Sequence, residues 1–231
     1  MEILSIIPAR GGSKGIPHKN IKLINNKPLI AYSIESSLKS KYITKTVLSS
    51  EDDEILKIAR EYGAETIKRP DELAQDETKT IPVMLDVVER LEEKGYKPDY
   101  VVLLQPTCPL RDENYIDNAF DFYFEQEKKG FDSCIGMFKI GTTHSKWRVL
   151  HNKKLECLYD YRIRPRRQEV EQHYTMLQEN GAFYALPTKT MKEVKDFIGY
   201  NPTPYITPKI IDIDTVDDFK KVEEILKNKN A

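Results

Sequence analysis

Strand-like and helix-like segments alternate along most of this chain of 231 residues. Residues 2–8 form a short apolar run, residues 44–50 are strand-like, and residues 98–106 indicate a buried strand. Between these runs, residues 28–39 and 80–94 show helical periodicity. Because two parallel strands are joined through a helical crossover, this alternation is typical of a mostly parallel sheet with helices on both faces. The sequence therefore predicts an α/β fold of three layers, with the sheet between two layers of helices.

Residues 141–178 interrupt the alternation. It continues up to a predicted strand near residues 132–140, and it resumes with the strand-like "GAFYALP", a helix, a predicted strand end at residues 210–215 and a last helix. The interrupting stretch is polar, is rich in Arg, Lys, His and Tyr, and holds the only Trp. Since it is too long for an ordinary loop, we expect an inserted arm within a single domain of residues 1–231.

Charge and cysteine content limit the classes of partner. The 36 basic and 37 acidic residues nearly cancel, so no overall field attracts nucleic acid or an anionic membrane. The three cysteines form no CxxC pair, which fits reduced thiols in the cytosol and gives no zinc signature. The start "MEILSII" lacks a basic segment and is too short to span a membrane. We expect a cytoplasmic protein that binds neither nucleic acid nor membrane.

A glycine-rich, basic segment, "IIPARGGSKGIPHKN" at residues 6–20, follows the first predicted strand. It matches neither the dinucleotide pattern GxGxxG nor the Walker A pattern. Its glycines would let backbone amides approach an anion, and its cations would neutralise several charges, as a triphosphate needs. These residues are Gly11, Gly12, Gly15, Arg10, Lys14 and Lys19. The alternative is a solvated basic turn.

The segment, together with "KPLIAYSI" behind it, resembles the N-terminal signature of the acylneuraminate cytidylyltransferases, a family that includes CMP-legionaminic acid synthetases. Further blocks follow in the family's order: "RPDELAQD", "LLQPTCPLR", "RRQ", "ENGAFY" and "IDIDTVDDF". The resemblance spans the chain and implies a Rossmann-like nucleotidyltransferase fold. It implies transfer of CMP from CTP to the anomeric hydroxyl of a nine-carbon 2-keto sugar acid of the sialic or legionaminic type, with release of pyrophosphate.

The resemblance also implies roles for individual residues. Arg10, Lys19 and Asp214 would carry catalysis. The nucleotide would be bound by Arg10, Gly11, Gly12, Ser13, Lys19, Asn20, Arg69 and Thr80. The sugar would be bound by Gln105, Thr107, Lys146, Arg167, Gln168, Asn180 and Tyr184. In this family the arm reaches across a two-fold axis into the neighbouring active site, so the resemblance implies a homodimer.

Asp212 and Asp214 are candidate metal ligands. In an extended strand, positions i and i+2 place both carboxylates on one face, where they repel each other unless a cation joins them. Mg²⁺ prefers a few carboxylates together with phosphate oxygens and water, and Mn²⁺ can replace it. The alternative is that Asp214 or Thr215 caps the last helix.

Several alternatives remain open at this point. Arg69 could pair only with Asp71 or Glu72, Thr80 could merely begin a helix, and Arg111 could bind an anion or pair with a carboxylate. Cys108 stands where the family usually has Ser, and we assign it no catalytic role. The family's Ser-Thr-Asp reads "SSEDDE" here, which leaves a ribose role for that strand end open. Other acceptors would be an eight-carbon ulosonic acid or pseudaminic acid; a glycosyltransferase and a non-catalytic nucleotide-binding protein are the remaining alternatives.

Overall fold

The computed structural model describes residues 1–13, 15–140, 147–149, 154–157, 162 and 176–229. The strands are β1 (Ile3–Pro8), β2 (Leu23–Ile24), β3 (Lys27–Pro28), β4 (Lys45–Ser50), β5 (Glu65–Lys68), β6 (Tyr100–Leu103), β7 (Ser133–Lys139), β8 (Trp147–Val149), β9 (Leu155–Cys157), β10 (Leu177–Pro187) and β11 (Pro202–Ile206). The helices are α1 (Leu29–Lys39), α2 (Asp53–Glu61), α3 (Thr80–Glu93), α4 (Tyr115–Glu127), α5 (Thr188–Val194) and α6 (Val216–Lys229).

Seven strands form one sheet in the order β11-β7-β10-β6-β1-β4-β5. The pairs of β1 with β4 and β6, of β4 with β5, and of β11 with β7 are parallel. Among the described strands of this sheet, β10 alone is antiparallel to its neighbours. The prediction of a mostly parallel sheet is therefore confirmed.

Both faces of the sheet are buried, which explains the nearly continuous apolar runs of its central strands. Along β1, Ile3 and Ile7 pack against residues of α1, α2 and α4, whereas Leu4 and Ile6 pack against α3 on the other face. Because successive side chains of a strand point to opposite faces, one short apolar run serves two cores. The predicted three layers follow from this burial.

A third apolar cluster lies beside the sheet and joins the start of the chain to its end. Ile16, from the glycine-rich segment, packs with Ile213 and with Phe219 and Leu226 of α6. Ile24, Leu29 at the start of α1 and Val222 of α6 belong to the same cluster. Burial of these side chains holds two polar segments next to each other although nearly 200 residues separate them.

Two local features differ from the sequence prediction. The predicted strand end at residues 210–215 is wrong, since the structure has no strand there, and the last strand is instead β11. A β-hairpin that sequence reasoning missed joins β2 and β3 through Asn25 and Asn26, whose φ angles are 48° and 62°. Both central residues have positive φ, as a type I′ turn requires, and asparagine tolerates that region well.

Candidate active site

The carboxyl ends of β1, β4, β5 and β6 meet at one edge of the sheet, because these strands are parallel. A cavity of about 500 Å³ opens there, which we call the main cavity. Residues from the start, the middle and the end of the chain line it. Open parallel sheets commonly bind their ligands at this edge, outside the carboxyl ends of the strands. Its lining includes the predicted site residues Arg10, Ser13, Lys19, Asn20, Arg69, Thr80, Gln105, Thr107, Asp212 and Asp214.

Other predicted site residues lie elsewhere. Gly11 and Gly12 line an opening on the other side of their loop. Asn180 lines a neighbouring cavity, and Tyr184 is buried in the core, where its hydroxyl donates to Glu179 Oε2 at 2.9 Å. Lys14, Lys146, Arg167 and Gln168 lie outside the described residues.

Close approach explains two glycines of the glycine loop, which we define as residues 9–20. A Cβ atom on Gly15 would lie 2.9 Å from the backbone oxygen of Asp214, and one on Gly11 would lie 2.5 Å from Asp52 Oδ2. The Asp52 carboxylate has little freedom to move, because it accepts hydrogen bonds from the first amides of α2. The loop is therefore packed between the start of α2 and the segment that carries Asp214. A Cβ on Gly12 would meet open space.

The cations of the glycine loop contact acidic and carbonyl oxygens from distant parts of the chain. Arg10 Nη1 donates to Asp76 Oδ1 at 2.8 Å. Lys19 Nζ donates to the backbone oxygen of Ile213 at 2.7 Å and lies 4.0 Å from Asp214 Oδ1. The Lys19 side chain is only 16% exposed, so its position is fixed by packing as well as by hydrogen bonding. The basic loop and the acidic pair thus belong to one site.

Arg69 is held by an acid that sequence reasoning did not connect with it. Its Nε and Nη2 donate to Glu51 Oε2 at 3.1 and 2.8 Å, and not to Asp71 or Glu72, which were the alternative partners considered from the sequence. The other oxygen of Glu51 accepts the amide of Gly11 at 2.7 Å. Glu51 ends the "SSE" run that departs from the family pattern, and this departure was the only signal for it in the sequence.

The turn after β6, residues 105–111, is held by Arg111. This guanidinium donates to the backbone oxygens of Gln105, Cys108 and Ala182 at 2.7 to 3.0 Å and to Ser33 Oγ at 2.9 Å. Among the described residues its hydrogen-bond partners are carbonyls and a hydroxyl, not a carboxylate, and burial lowers the pKa of Arg111. Arg111 therefore stabilises the turn that presents Gln105 and Thr107.

The acidic segment, residues 211–215, runs beside this turn. The amide of Ile213 donates to the backbone oxygen of Thr107 at 2.9 Å, and the Ile213 side chain is fully buried. Asp212 and Asp214 flank it and line the main cavity, although they do not belong to a strand. The two carboxylates therefore lie together because the side chain between them, Ile213, is buried, and not because they share the face of a strand.

The carboxylates of Asp212 and Asp214 differ in their surroundings. Asp212 Oδ1 is buried and, among the described residues, has no hydrogen-bond partner. Partial burial and the charge of Asp212 raise the pKa of Asp214. The cap of α6 is made by others: Thr215 Oγ1 accepts the amide of Asp218, and Asp218 Oδ2 accepts the amide of Thr215. Capping by Thr215 accordingly leaves Asp214 without a capping role.

A second cavity of about 320 Å³ meets the main cavity at Asp212 and Asp214. Asn180 lines it, and this side chain is 2% exposed. Its amide nitrogen lies 3.1 Å from Tyr115 Oη and 3.2 Å from Thr207 Oγ1, and its oxygen accepts the amide of Ala182. The second cavity also has an apolar wall with Phe138 and Ile211.

The fold is that of a nucleotidyltransferase. A solved structure of CMP:2-keto-3-deoxy-manno-octonic acid synthetase, in complex with CTP, superposes with a TM-score of 0.70. The likeness covers 99% of this chain and 100% of that chain, at 16% identity. In the part of the chain that the structure describes, we find no helix with the length and apolar character needed to cross a bilayer.

The chain belongs to the cytidylyltransferase family, whose model matches residues 4–229. A pseudaminic acid cytidylyltransferase from Campylobacter jejuni is 32% identical over 95% of this chain and 94% of its own length. An N-acylneuraminate cytidylyltransferase from Escherichia coli is 31% identical over 99% of this chain and 53% of its own length. The CMP-N,N'-diacetyllegionaminic acid synthase of Legionella pneumophila is 31% identical over 98% of this chain and 97% of its own length. The resemblance noted in the sequence is confirmed, and the protein is a nucleotidyltransferase.

Proposed function

We propose that this protein transfers CMP from CTP to the anomeric hydroxyl of a nine-carbon 2-keto sugar acid. In this reaction the hydroxyl oxygen gives up its proton to a base or to water and forms a bond to the α-phosphorus of CTP. The bond between that phosphorus and the oxygen that bridges to the β-phosphate breaks, and pyrophosphate leaves with the electron pair. The observation that carries the proposal is the meeting of Lys19, from the start of the chain, with the acidic segment from its end. The relatives, whose names describe CMP transfer to three nonulosonic acids, support it.

The nucleotide fits the main cavity by charge and by position. Arg10 and Lys19 lie where they can neutralise the phosphates, and Ser13 adds a hydroxyl donor. In phosphoryl transfer, catalysis depends mainly on positioning and on stabilising the charge that builds on the leaving group. Arg69 and Thr80 line the same cavity and are our candidates for the nucleoside side. Asn20 donates to the backbone oxygen of Arg10 at 2.8 Å, so it holds the loop in position.

The acceptor would approach the nucleotide past Gln105 and Thr107 and extend into the second cavity. That cavity adjoins the acidic segment, and its walls combine two lysines, two amides and three apolar side chains with four carboxylates, two of which are Asp212 and Asp214. Such a mixture suits a sugar acid with acyl groups, because carboxylate, hydroxyl and methyl groups all need partners. Lys146, Arg167 and Gln168 of the arm, and the homodimer through which the arm would act, remain predictions.

Asp212 and Asp214 fit a Mg²⁺ or Mn²⁺ ion. The unpartnered, buried Asp212 Oδ1 is the observation that favours it, because such an oxygen is costly unless a hydrogen-bond donor or a cation meets it. When bound, the ion would add positive charge at the reacting phosphate, which in related chemistry contributes several kcal/mol. Among the described residues no third acidic, His or Cys side chain joins the pair, so the remaining ligands would be phosphate oxygens and water.

The experiment is a pyrophosphate-release assay with CTP, Mg²⁺ and a panel of acids. The panel contains N-acetylneuraminic, legionaminic and pseudaminic acids, together with an eight-carbon 2-keto acid. We expect release with one or more nine-carbon acids and a CMP-sugar product of the matching mass. If no acid of the panel led to release of pyrophosphate, the proposal would be overturned.

The particular acid is the finer part of the proposal. We favour the N-acylneuraminic or legionaminic type, in line with the "SKGIPHKN" stretch of the glycine loop. Pseudaminic acid is the alternative, and a relative at 32% identity whose name carries that acid supports it. Comparing kcat/KM for the three acids decides between them, because the highest value identifies the acid whose transition state the site binds best.

A further inference from the structure

We propose that Glu51 is a positioning residue that couples the phosphate side of the nucleotide site to its nucleoside side. The inference rests on the proposed function, since it assumes that CTP occupies the main cavity. It goes beyond that function because Glu51 belongs neither to the predicted site nor, among the described residues, to the lining of the main cavity. Instead Glu51 lies behind the glycine loop, in the opening that Gly12 and Asp52 line.

Strand register explains how one carboxylate reaches two binding segments. Ser50, at the end of β4, is opposite Lys68, at the end of β5, and the amide of Arg69 donates to the backbone oxygen of Ser50. On the other side of β4, the amide of Ala9 donates to the backbone oxygen of Ser49. The chain segments that leave β1, β4 and β5 therefore lie side by side, with Glu51 in the middle.

Both oxygens of Glu51 are occupied, each by a different segment. Oε1 accepts the amide of Gly11 at 2.7 Å, and Oε2 accepts Nε and Nη2 of Arg69 at 3.1 and 2.8 Å. The Arg69 side chain is 4% exposed and that of Glu51 is 17% exposed, so this ion pair is largely shielded from water. Charge-assisted hydrogen bonds in such a place fix geometry strongly.

Glu51 therefore connects two parts of the nucleotide site, Arg69 and the glycine loop, which would contact the same CTP molecule. Arg69 lines the main cavity, and Gly11 sets the path of the loop that carries Arg10 and Ser13 into it. If Glu51 loses its charge, Arg69 loses its counter-ion and the loop loses its anchor at the same time. An isolated structural pair would affect stability alone, whereas this one should affect nucleotide binding on both sides.

The test compares Glu51→Gln with two other variants. Glutamine has nearly the same shape but offers one acceptor and no charge, so it cannot satisfy both segments. Glu51→Asp keeps the charge, but it is one methylene shorter and cannot reach both. Glu54→Gln is the matched control, because Glu54 is exposed, lies three residues on, and loses the same charge. Thermal melting of each variant establishes that the protein is folded.

We expect the KM for CTP to rise about tenfold in Glu51→Gln, with kcat within about threefold and an unchanged KM for the sugar acid. In direct titrations, Glu51→Gln should weaken binding of both CMP and inorganic tripolyphosphate, whereas Arg69→Ala should weaken CMP alone. For CTP, the double variant should bind more weakly than Arg69→Ala, because Glu51 also holds the amide of Gly11, but by less than the sum of the two single effects, since the two side chains share one ion pair. In Glu51→Asp, the KM for CTP should also rise, and the affinities for CMP and tripolyphosphate should also fall. If Glu51→Gln does not fold, Glu51→Asp serves as the test.

The outcomes separate this inference from the proposed function. If the unmodified protein bound no CTP, the proposed function would fail. If it bound CTP but both Glu51 variants bound CMP and tripolyphosphate with unchanged affinity, only the role of Glu51 would be refuted. Loss of affinity for one of these two probes alone would refute the coupling and leave Glu51 with a one-sided role. An equal effect in Glu54→Gln would assign the change to general electrostatics.

Discussion

Two neighbouring segments at the edge of the sheet contrast in how their charged groups are satisfied. In the turn of residues 105–111, Arg111 uses four hydrogen bonds to carbonyls and a hydroxyl. In the acidic segment of residues 211–215, Asp212 keeps a buried oxygen without a partner among the described residues. The two segments touch through the hydrogen bond from Ile213 to Thr107.

Under the proposed function, the contrast distinguishes a group that supports the site, Arg111, from groups that we propose to act in it, Asp212 and Asp214. A buried polar atom without a partner costs free energy, and a water molecule or an ion that meets it removes that cost. Four of the five N–H groups of Arg111 already donate within the protein, and this arrangement holds the turn. Asp212 keeps a buried oxygen without a partner among the described residues, and the repulsion between Asp212 and Asp214 favours a cation. Substitution of Arg111 should therefore change stability, and substitution of Asp212 or Asp214 should change turnover.

The largest effect is expected for Asp214→Ala. We expect kcat to fall at least about a hundredfold, which corresponds to roughly 3 kcal/mol for the loss of one metal contact. Binding of Mn²⁺, measured by the free-ion signal in electron paramagnetic resonance, should weaken in parallel. The control is Asp217→Ala, an exposed carboxylate three residues on in the first turn of α6. Turnover near that of the unmodified protein would contradict the assignment of Asp214.

For Arg111→Met, we expect the free energy of unfolding to fall by about 2 to 3 kcal/mol, because several buried acceptors lose their donor. Urea denaturation at constant m-value measures the change. Arg60→Met is the control, since the exposed Arg60 makes a single hydrogen bond to Thr66 and should cost no more than about 0.5 kcal/mol. If Arg111→Met were as stable as the control variant, the contrast between the two segments would not hold.

Lys19→Ala tests the cation that joins the glycine loop to the acidic segment. We expect a higher KM for CTP and a lower kcat, with kcat/KM reduced about tenfold or more, as for a charge-assisted contact to phosphate. The KM for the sugar acid should not change. Lys22→Ala is the control, because Lys22 is exposed and lies over the ring of Phe219, away from the main cavity. A change limited to the sugar's KM would argue against a phosphate role for Lys19.

The sequence predicted the fold well where burial dictates the pattern. Strands such as β1 and β6 are mostly apolar because both faces of the sheet are covered, and helices such as α1 and α3 show clear periodicity. It failed at β11, where Pro202 and Pro204 argue against a strand. The structure tolerates these prolines because β11 is an edge strand that pairs only with β7. At residues 210–215 the sequence alternates between apolar and polar residues, which led to the mistaken prediction of a strand. In the structure this pattern arises because Ile213 alone among these residues is fully buried.

The candidate site was predictable in its residue types but not in its contacts. Family motifs pointed to Arg10, Lys19 and the acidic pair, and these lie around one cavity. The partner of Arg69 could not be found in this way, because nearness in sequence favoured Asp71 and Glu72. Glu51 becomes its partner only through the parallel register of β4 and β5, which no local pattern specifies. Long-range pairing of this kind depends on strand order, and strand order requires the tertiary structure.

The smallest effect is expected for Cys108→Ser, at the boundary between the two segments. The thiol is fully buried and donates to the backbone oxygen of Asn180 at 3.2 Å, a bond that a serine hydroxyl can replace. Burial raises the pKa of Cys108 to about 12, so at pH 8 roughly one thiol in ten thousand is ionised and nucleophilic. We expect kcat within about twofold and slow alkylation of Cys108, followed by mass spectrometry. A folded variant with severely reduced turnover would give the thiol a role in the chemistry, and the division between a supporting turn and an acting acidic segment would then have to be redrawn.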